Sequence, residues 1–162
     1  INSDLANVLG NLVNRTVAMG NKYFEGKVIN PSVSDDVDNV LISMINELDK
    51  RVEIKMDTLE VGAALDEIFD LLRRSNKYID ETMPWVLAKD SNNSDRLQTV
   101  LYNLLESIRV SSNLIRPFLP ETADKILEQI GNADDSLKFN PSNTYNLGVA
   151  TPLFKRIDTK NV

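Results

Sequence analysis

The sequence predicts an all-α bundle of about five helices, followed by an extended C-terminal segment, and three observations carry that expectation. Apolar residues recur at three- and four-residue steps through four long stretches and one short one, the spacing of a single helix face. Pro31, Pro84, Pro117 and Pro120 fall at the ends of those stretches and not inside them. No stretch alternates apolar and polar residues for long enough to build a sheet. The bundle is assigned to residues 1–131 and the extended segment to 132–162.

The first helix is carried by Leu5, Leu9, Leu12, Val13, Val17, Tyr23 and Phe24, with Ser3 as its expected N-cap and Gly26 as its stop. A loop follows through Gly26 and Pro31. The second helix starts behind Asp35 or Ser34 as cap and runs through Val37, Val40, Leu41, Met44, Ile45, Leu48 and Val52. Asp57-Thr58-Leu59-Glu60 has the spacing of a capping box and is expected to open the third helix, which carries Leu65, Ile68, Phe69, Leu72, Tyr78 and Ile79. Met83-Pro84 ends it, because proline lacks an amide hydrogen and disfavours helical geometry in the residue before it. Trp85, the only tryptophan, is therefore expected on a turn. A polar run, Asp90 to Asp95, leads into the fourth helix through Leu97, Val100, Leu101, Leu104, Leu105, Ile108, Leu114 and Ile115, stopped at Arg116-Pro117. Pro120 opens a short fifth helix that Gly131 closes. Beyond Asn132 the periodicity fails, yet Phe139, Leu147, Leu153 and Phe154 are too apolar for a free tail. That segment is expected to lie on the bundle or on a neighbouring domain.

Composition narrows the chemistry. The chain of 162 residues has no cysteine and no histidine, which removes disulfides, thiolate zinc sites, cysteine nucleophiles and the commonest general base. No apolar run reaches the roughly 20 residues of a membrane span and no signal peptide is evident, so a cytoplasmic protein without a membrane partner is expected. The first residue is isoleucine, which suggests a piece of something longer. A net charge of −6 argues against indiscriminate binding to phosphate backbones, DNA included. A nucleic-acid partner would have to be recognised locally.

Two features invite such a reading. Asn7, Asn11 and Arg15 stand at i, i+4 and i+8 on one face of the first helix, with Lys22 beyond, and the stripe holds amides and donors with almost no acid. A solvated face is the ordinary reading of such a stripe, but asparagine is a poor helix former, and two of them in mid-helix invite a functional one. Trp85 after Pro84 either closes the core or offers a face on which a base stacks. Lys50, Arg51, Lys55, Arg73, Arg74, Lys77 and Lys89 are ordinary surface cations or parts of one positive patch with Arg15 and Lys22. The acid pairs Asp35-Asp36 and Asp134-Asp135 sit at a helix start and in a loop, where capping explains them.

Taken together and in order, several segments resemble the anticodon-binding helical domain that follows the catalytic domain of methionyl-tRNA synthetases. They are Asp4-Leu5-Ala6-Asn7, Leu9-Gly10-Asn11-Leu12-Val13-Asn14-Arg15, Lys22 to Gly26, Asn76-Lys77-Tyr78-Ile79, Pro84 to Lys89, Ile115 to Pro120, and Pro152-Leu153-Phe154. The resemblance implies a bundle that reads the CAU anticodon of methionine tRNAs. Asn11 and Arg15 would hydrogen-bond anticodon bases, and Trp85, fixed by Pro84, would stack on the first of them. It also implies a catalytic domain elsewhere in the enzyme that binds ATP, with zinc as a further candidate, and no cofactor in this chain. Lys155 stands where the family commonly has proline. The catalytic signatures are missing: the one containing histidine cannot occur, and Lys55-Met56-Asp57-Thr58-Leu59 only superficially matches the lysine-rich loop, so this chain alone is not expected to activate methionine. The alternatives are the corresponding domain of another class I synthetase and, from a different class, a helical protein-interaction module with Trp85 in its core.

Overall fold

The computed structural model describes residues 2–149. Pro152-Leu153-Phe154 and Lys155 lie outside the described residues. The order is α1 (Asn2–Phe24), β1 (Lys27–Val28), α2 (Asp36–Asp57), α3 (Val61–Thr82), a single-turn α4 (Pro84–Leu87), a 3₁₀ turn (Ser91–Asn93), α5 (Ser94–Ile115), α6 (Pro120–Ile130) and β2 (Tyr145–Asn146). The five expected helices are α1, α2, α3, α5 and α6.

Local chemistry sets several of the helix ends. Asp35 caps α2 and forms a capping box with Asp38, which satisfies amides that the first turn leaves unpaired. Pro120 begins α6, and Gly131 ends it in the left-handed region at φ 68. Two expectations fail. The α1 helix begins at Asn2, so Ser3 lies inside its first turn and not ahead of it. Asp57 to Glu60 is not a capping box either: α2 continues to Asp57, and Glu60 precedes α3 without any side-chain cap. The turn is closed by the backbone, with Leu59 N–H on Met56 O at 3.0 Å and Glu60 N–H on Lys55 O at 2.8 Å. The acid-Thr-x-Glu spacing suits a helix start, but the carbonyls of α2 captured these amides first.

At the centre lies α5, which packs on α1, α2, α3, α4 and α6. Every residue from Thr99 to Ser112 is buried. Its polar residues are therefore obliged to find partners. Ser107 Oγ meets Ser75 Oγ of α3 at 2.5 Å, and Asn103 donates to Tyr78 Oη at 3.1 Å. Thr99 accepts from the amide of Val33 at 3.1 Å.

The segment after α6 lies along the bundle. Arg109 of α5 donates to the carbonyls of Asp134, Ser136 and Lys138 at 3.0, 2.6 and 2.8 Å, while its other edge pairs with Glu106 at 2.8 and 2.9 Å. Glu106 in turn accepts from Asn140 N–H, Asn143 Nδ2 and the Tyr145 hydroxyl. Beyond this clasp, β2 pairs antiparallel with β1 in the register Lys27↔Asn146 and Val28↔Tyr145. The ladder escapes period-two analysis because each strand is only two residues long. Leu147 then lies over Gly20, where a Cβ would come within 2.2 Å of its side chain.

Candidate nucleic-acid interface

On α1, Leu9, Leu12 and Val13 are buried while Asn7, Asn11 and Arg15 are exposed, so the polar stripe is a true surface of the molecule. Asn11 and Arg15 are one turn apart on it. Arg15 reaches across to α3, with Nη2 3.9 Å from Asp80 Oδ1. Both side chains are largely exposed, so the pair contributes little stability and leaves guanidinium donors free for another acceptor. Asp80 stands in the last turn of α3, directly before the turn that bears Trp85.

That turn is tightly built. Met83 takes a left-handed backbone at φ 47, with its amide on Ile79 O at 2.9 Å, and so breaks α3. Pro84 follows as the first residue of α4, where no amide hydrogen is needed, and is itself buried. Val86 and Ala88 N–H close the turn on Met83 and Pro84 carbonyls at 2.9 Å each. Asp90 caps the next turn by accepting from Asn92 N–H at 2.9 Å. Trp85 thus sits in one turn of helix, not in the irregular turn expected for it. Its placement decides between core and surface: Pro84 is buried, while Trp85 is 44% exposed, flanked by Met83 at 45% and Val86 at 44%. An indole held in this way presents an apolar face to solvent at little further cost in conformational entropy.

Of the two readings of the surface cations, the single positive patch is not assembled. Arg51 pairs with Glu47 at 3.2 Å and with Glu67 near the start of α3 at 3.9 Å, whereas Arg15 pairs with Asp80 near its end. These two places are about 20 Å apart along the helix. Lys50 and Lys55 share α2 with Arg51 and belong to the far half. Arg73 is engaged with Asp70 at 3.3 Å and lies 5.0 Å over the Phe69 ring, and Arg74 with Glu81 at 2.7 Å. Lys77 and Lys89 are exposed beside the Trp85 turn. The paired acids behave as helix-start and loop chemistry: Asp35 caps α2, and Asp134 Oδ1 accepts from Ser136 N–H at 3.0 Å.

Three contributors at this end of the bundle escaped sequence reasoning. Met83 and Val86 extend the apolar ledge around Trp85, but as single apolar residues they look like core. Asp80 faces the α1 stripe, and only the packing of α1 on α3 reveals it. No helix among the described residues is long and apolar enough to cross a membrane.

The family model for the anticodon binding domain of methionyl tRNA ligase matches residues 30–153. The methionine–tRNA ligase of Caldanaerobacter subterraneus subsp. tengcongensis is 54% identical over 144 residues, which cover 86% of this chain and 23% of that protein. The Bacillus subtilis enzyme is 44% identical over 168 residues, covering 99% and 25%. Among solved structures, the apo form of Mycobacterium tuberculosis methionyl-tRNA synthetase superposes with a TM-score of 0.86 at 35% identity, covering 97% of this chain and 33% of that one. The chain spans about a quarter of the length of the curated relatives it matches. With a family match across most of its length and a fold shared with a synthetase, the chain belongs to the anticodon-binding domains of methionyl-tRNA ligases.

Proposed function

We propose that this chain selects the tRNA for a methionine–tRNA ligase by reading a CAU anticodon loop. Trp85 stacks on the first anticodon base, Pro84 fixes the ring from behind, and Asn11 and Arg15 hydrogen-bond base edges from the exposed stripe of α1. The observation that carries this reading is the half-exposed indole next to a buried proline, because a core tryptophan would have the opposite exposure. Unstacked loop bases are the usual target of sequence-specific RNA readers, with stacking contributing about 1–3 kcal/mol per base. A few contacts of this size give selectivity without a basic protein, which suits a chain of net charge −6.

Attachment of methionine belongs to the remainder of the enzyme, whose catalytic domain is the chain's second partner. ATP and zinc do not fit the residues present. With no cysteine and no histidine there is no soft ligand for zinc, and no glycine-rich phosphate loop stands before a helix to hold ATP. A cytoplasmic location follows from the proposed work on tRNA.

The test is a titration of the chain with an anticodon stem-loop bearing CAU, following Trp85 fluorescence at low salt, beside a loop with a changed anticodon. Saturable quenching by CAU alone, lost in Arg15→Ala while the fold persists, is the expected result. Equal response to both loops would leave a general RNA binder. No response to either would favour a protein-interaction module.

A further inference from the structure

Asp38 lies in the first turn of α2, yet it is wholly buried, and its carboxylate is a meeting point of three helices. Tyr78 of α3 donates to Oδ1 at 2.6 Å. Arg96 of α5 donates to Oδ1 at 2.9 Å and to Oδ2 at 2.7 Å, and also holds Val33 O at 2.9 Å. Asp35 N–H completes the shell on Oδ2 at 3.0 Å. Capping alone would need only the last of these bonds.

The positions of the two donor side chains along the chain give this arrangement its meaning. Tyr78 is on α3 shortly before the connection that carries α4, and Arg96 is on α5 shortly after it. The connection from Met83 to Asn93 therefore departs and returns on stems tied to one carboxylate. We propose that Asp38 is a positioning residue for RNA reading: it pins both stems of this connection, so that Trp85 is presented in a single orientation. The proposal rests on the reading of Trp85 as the stacking residue. Its physical basis is preorganisation, since a ligand that binds only one orientation sees its apparent affinity reduced by the fraction of molecules holding that orientation.

The test compares Asp38→Asn and the gentler Tyr78→Phe with Gly131→Ala, a change at the end of α6 that touches neither stem. All are brought to conditions where denaturation curves show them folded. Anisotropy and acrylamide quenching of Trp85 are read first, without RNA, and the CAU stem-loop is titrated afterwards. Asp38→Asn is expected to lower the anisotropy, open Trp85 to acrylamide and raise the dissociation constant for CAU roughly tenfold, as when the competent fraction falls to about a tenth. Tyr78→Phe should move in the same direction by less, and Gly131→Ala should move neither readout. Unchanged Trp85 mobility in Asp38→Asn, or an equal loss of affinity in Gly131→Ala, would overturn the proposal. Failure of the unaltered protein to distinguish CAU would instead sink the RNA reading, and the RNA-free readouts would still decide whether Asp38 pins the connection.

Discussion

Arg109 is an ion with none of its side chain exposed, and it is tolerated because its charge and its donors are answered. One edge of the guanidinium meets the Glu106 carboxylate, and the other takes three carbonyls of the segment after α6. Replacing it by Met would leave a buried carboxylate without its counter-charge and three carbonyls without a donor. Removing one partner of such a pair typically costs about 3–5 kcal/mol, so Arg109→Met should shift the urea midpoint by a large fraction of the total stability. The sequence gives no warning of this. Ile108-Arg109-Val110 looks like a helix surface crossing an apolar stripe, and the receiving carbonyls come from an aperiodic stretch 25 to 29 residues on. Trp85, by contrast, could be singled out beforehand: it is unique and stands next to a proline whose backbone limits are independent of context.

Two helix ends make the same turn with different residues. Both α2 and α6 close with a left-handed residue whose amide, with the next one, reaches back to the last carbonyls. Gly131 fills that position in α6 and Leu59 in α2, where φ is 58 and the side chain is 87% exposed. A β-carbon in this conformation costs about 1–2 kcal/mol, against which glycine loses more entropy on folding. Leu59→Gly should therefore raise stability by roughly 0.5–1 kcal/mol in thermal or urea denaturation. Gly131→Ala should do the reverse, because its Cβ would fall 1.8 Å from Asn146 O, so the backbone there would have to shift locally. Gly131 as a stop was readable because glycine announces a positive φ. Leucine does not, and that is why the α2–α3 junction was assigned the wrong kind of cap.

On the scale of the whole molecule, ionisable groups among the described residues are buried in two networks, around Asp38 and around Glu106, and both set limits on pH. Burial opposes ionisation of Asp38, but hydrogen bonds from Arg96, Tyr78 and the Asp35 amide outweigh it and hold the carboxyl below its ordinary value. Asp134 is likewise depressed, burial being outweighed by the Ser136 amide and by Asn140 and Asn143. A depressed carboxyl contributes stability above its unfolded pKa, near 4, and loses it as pH falls through the lower folded value. Burial and neighbouring carboxylates raise Tyr78, Tyr102 and Tyr145. Their contribution is complete below pH ~10 and is lost as pH rises above it. Urea midpoints should accordingly be flat near neutrality, decline in acid below about pH 4, and decline again in alkali, with the acid limb shallower in Asp38→Asn. At this scale the helix count and order were readable from periodicity alone. The all-round burial of α5 was not, because its buried polar residues imitate a solvent face until their partners on α3 and in the C-terminal segment are known.

The ladder between β1 and β2 also ties α1 to the segment after α6 in time. Asn21 donates to Gly148 O across 127 positions, and Leu147 covers Gly20. During synthesis α1 emerges well before the segment that covers it. At the ordinary pace of translation the interval is on the order of ten seconds. For that period the Gly20 face of α1 and Val28 of β1 stand open to solvent and chaperones, and a nascent chain that stalls within α6 never closes them.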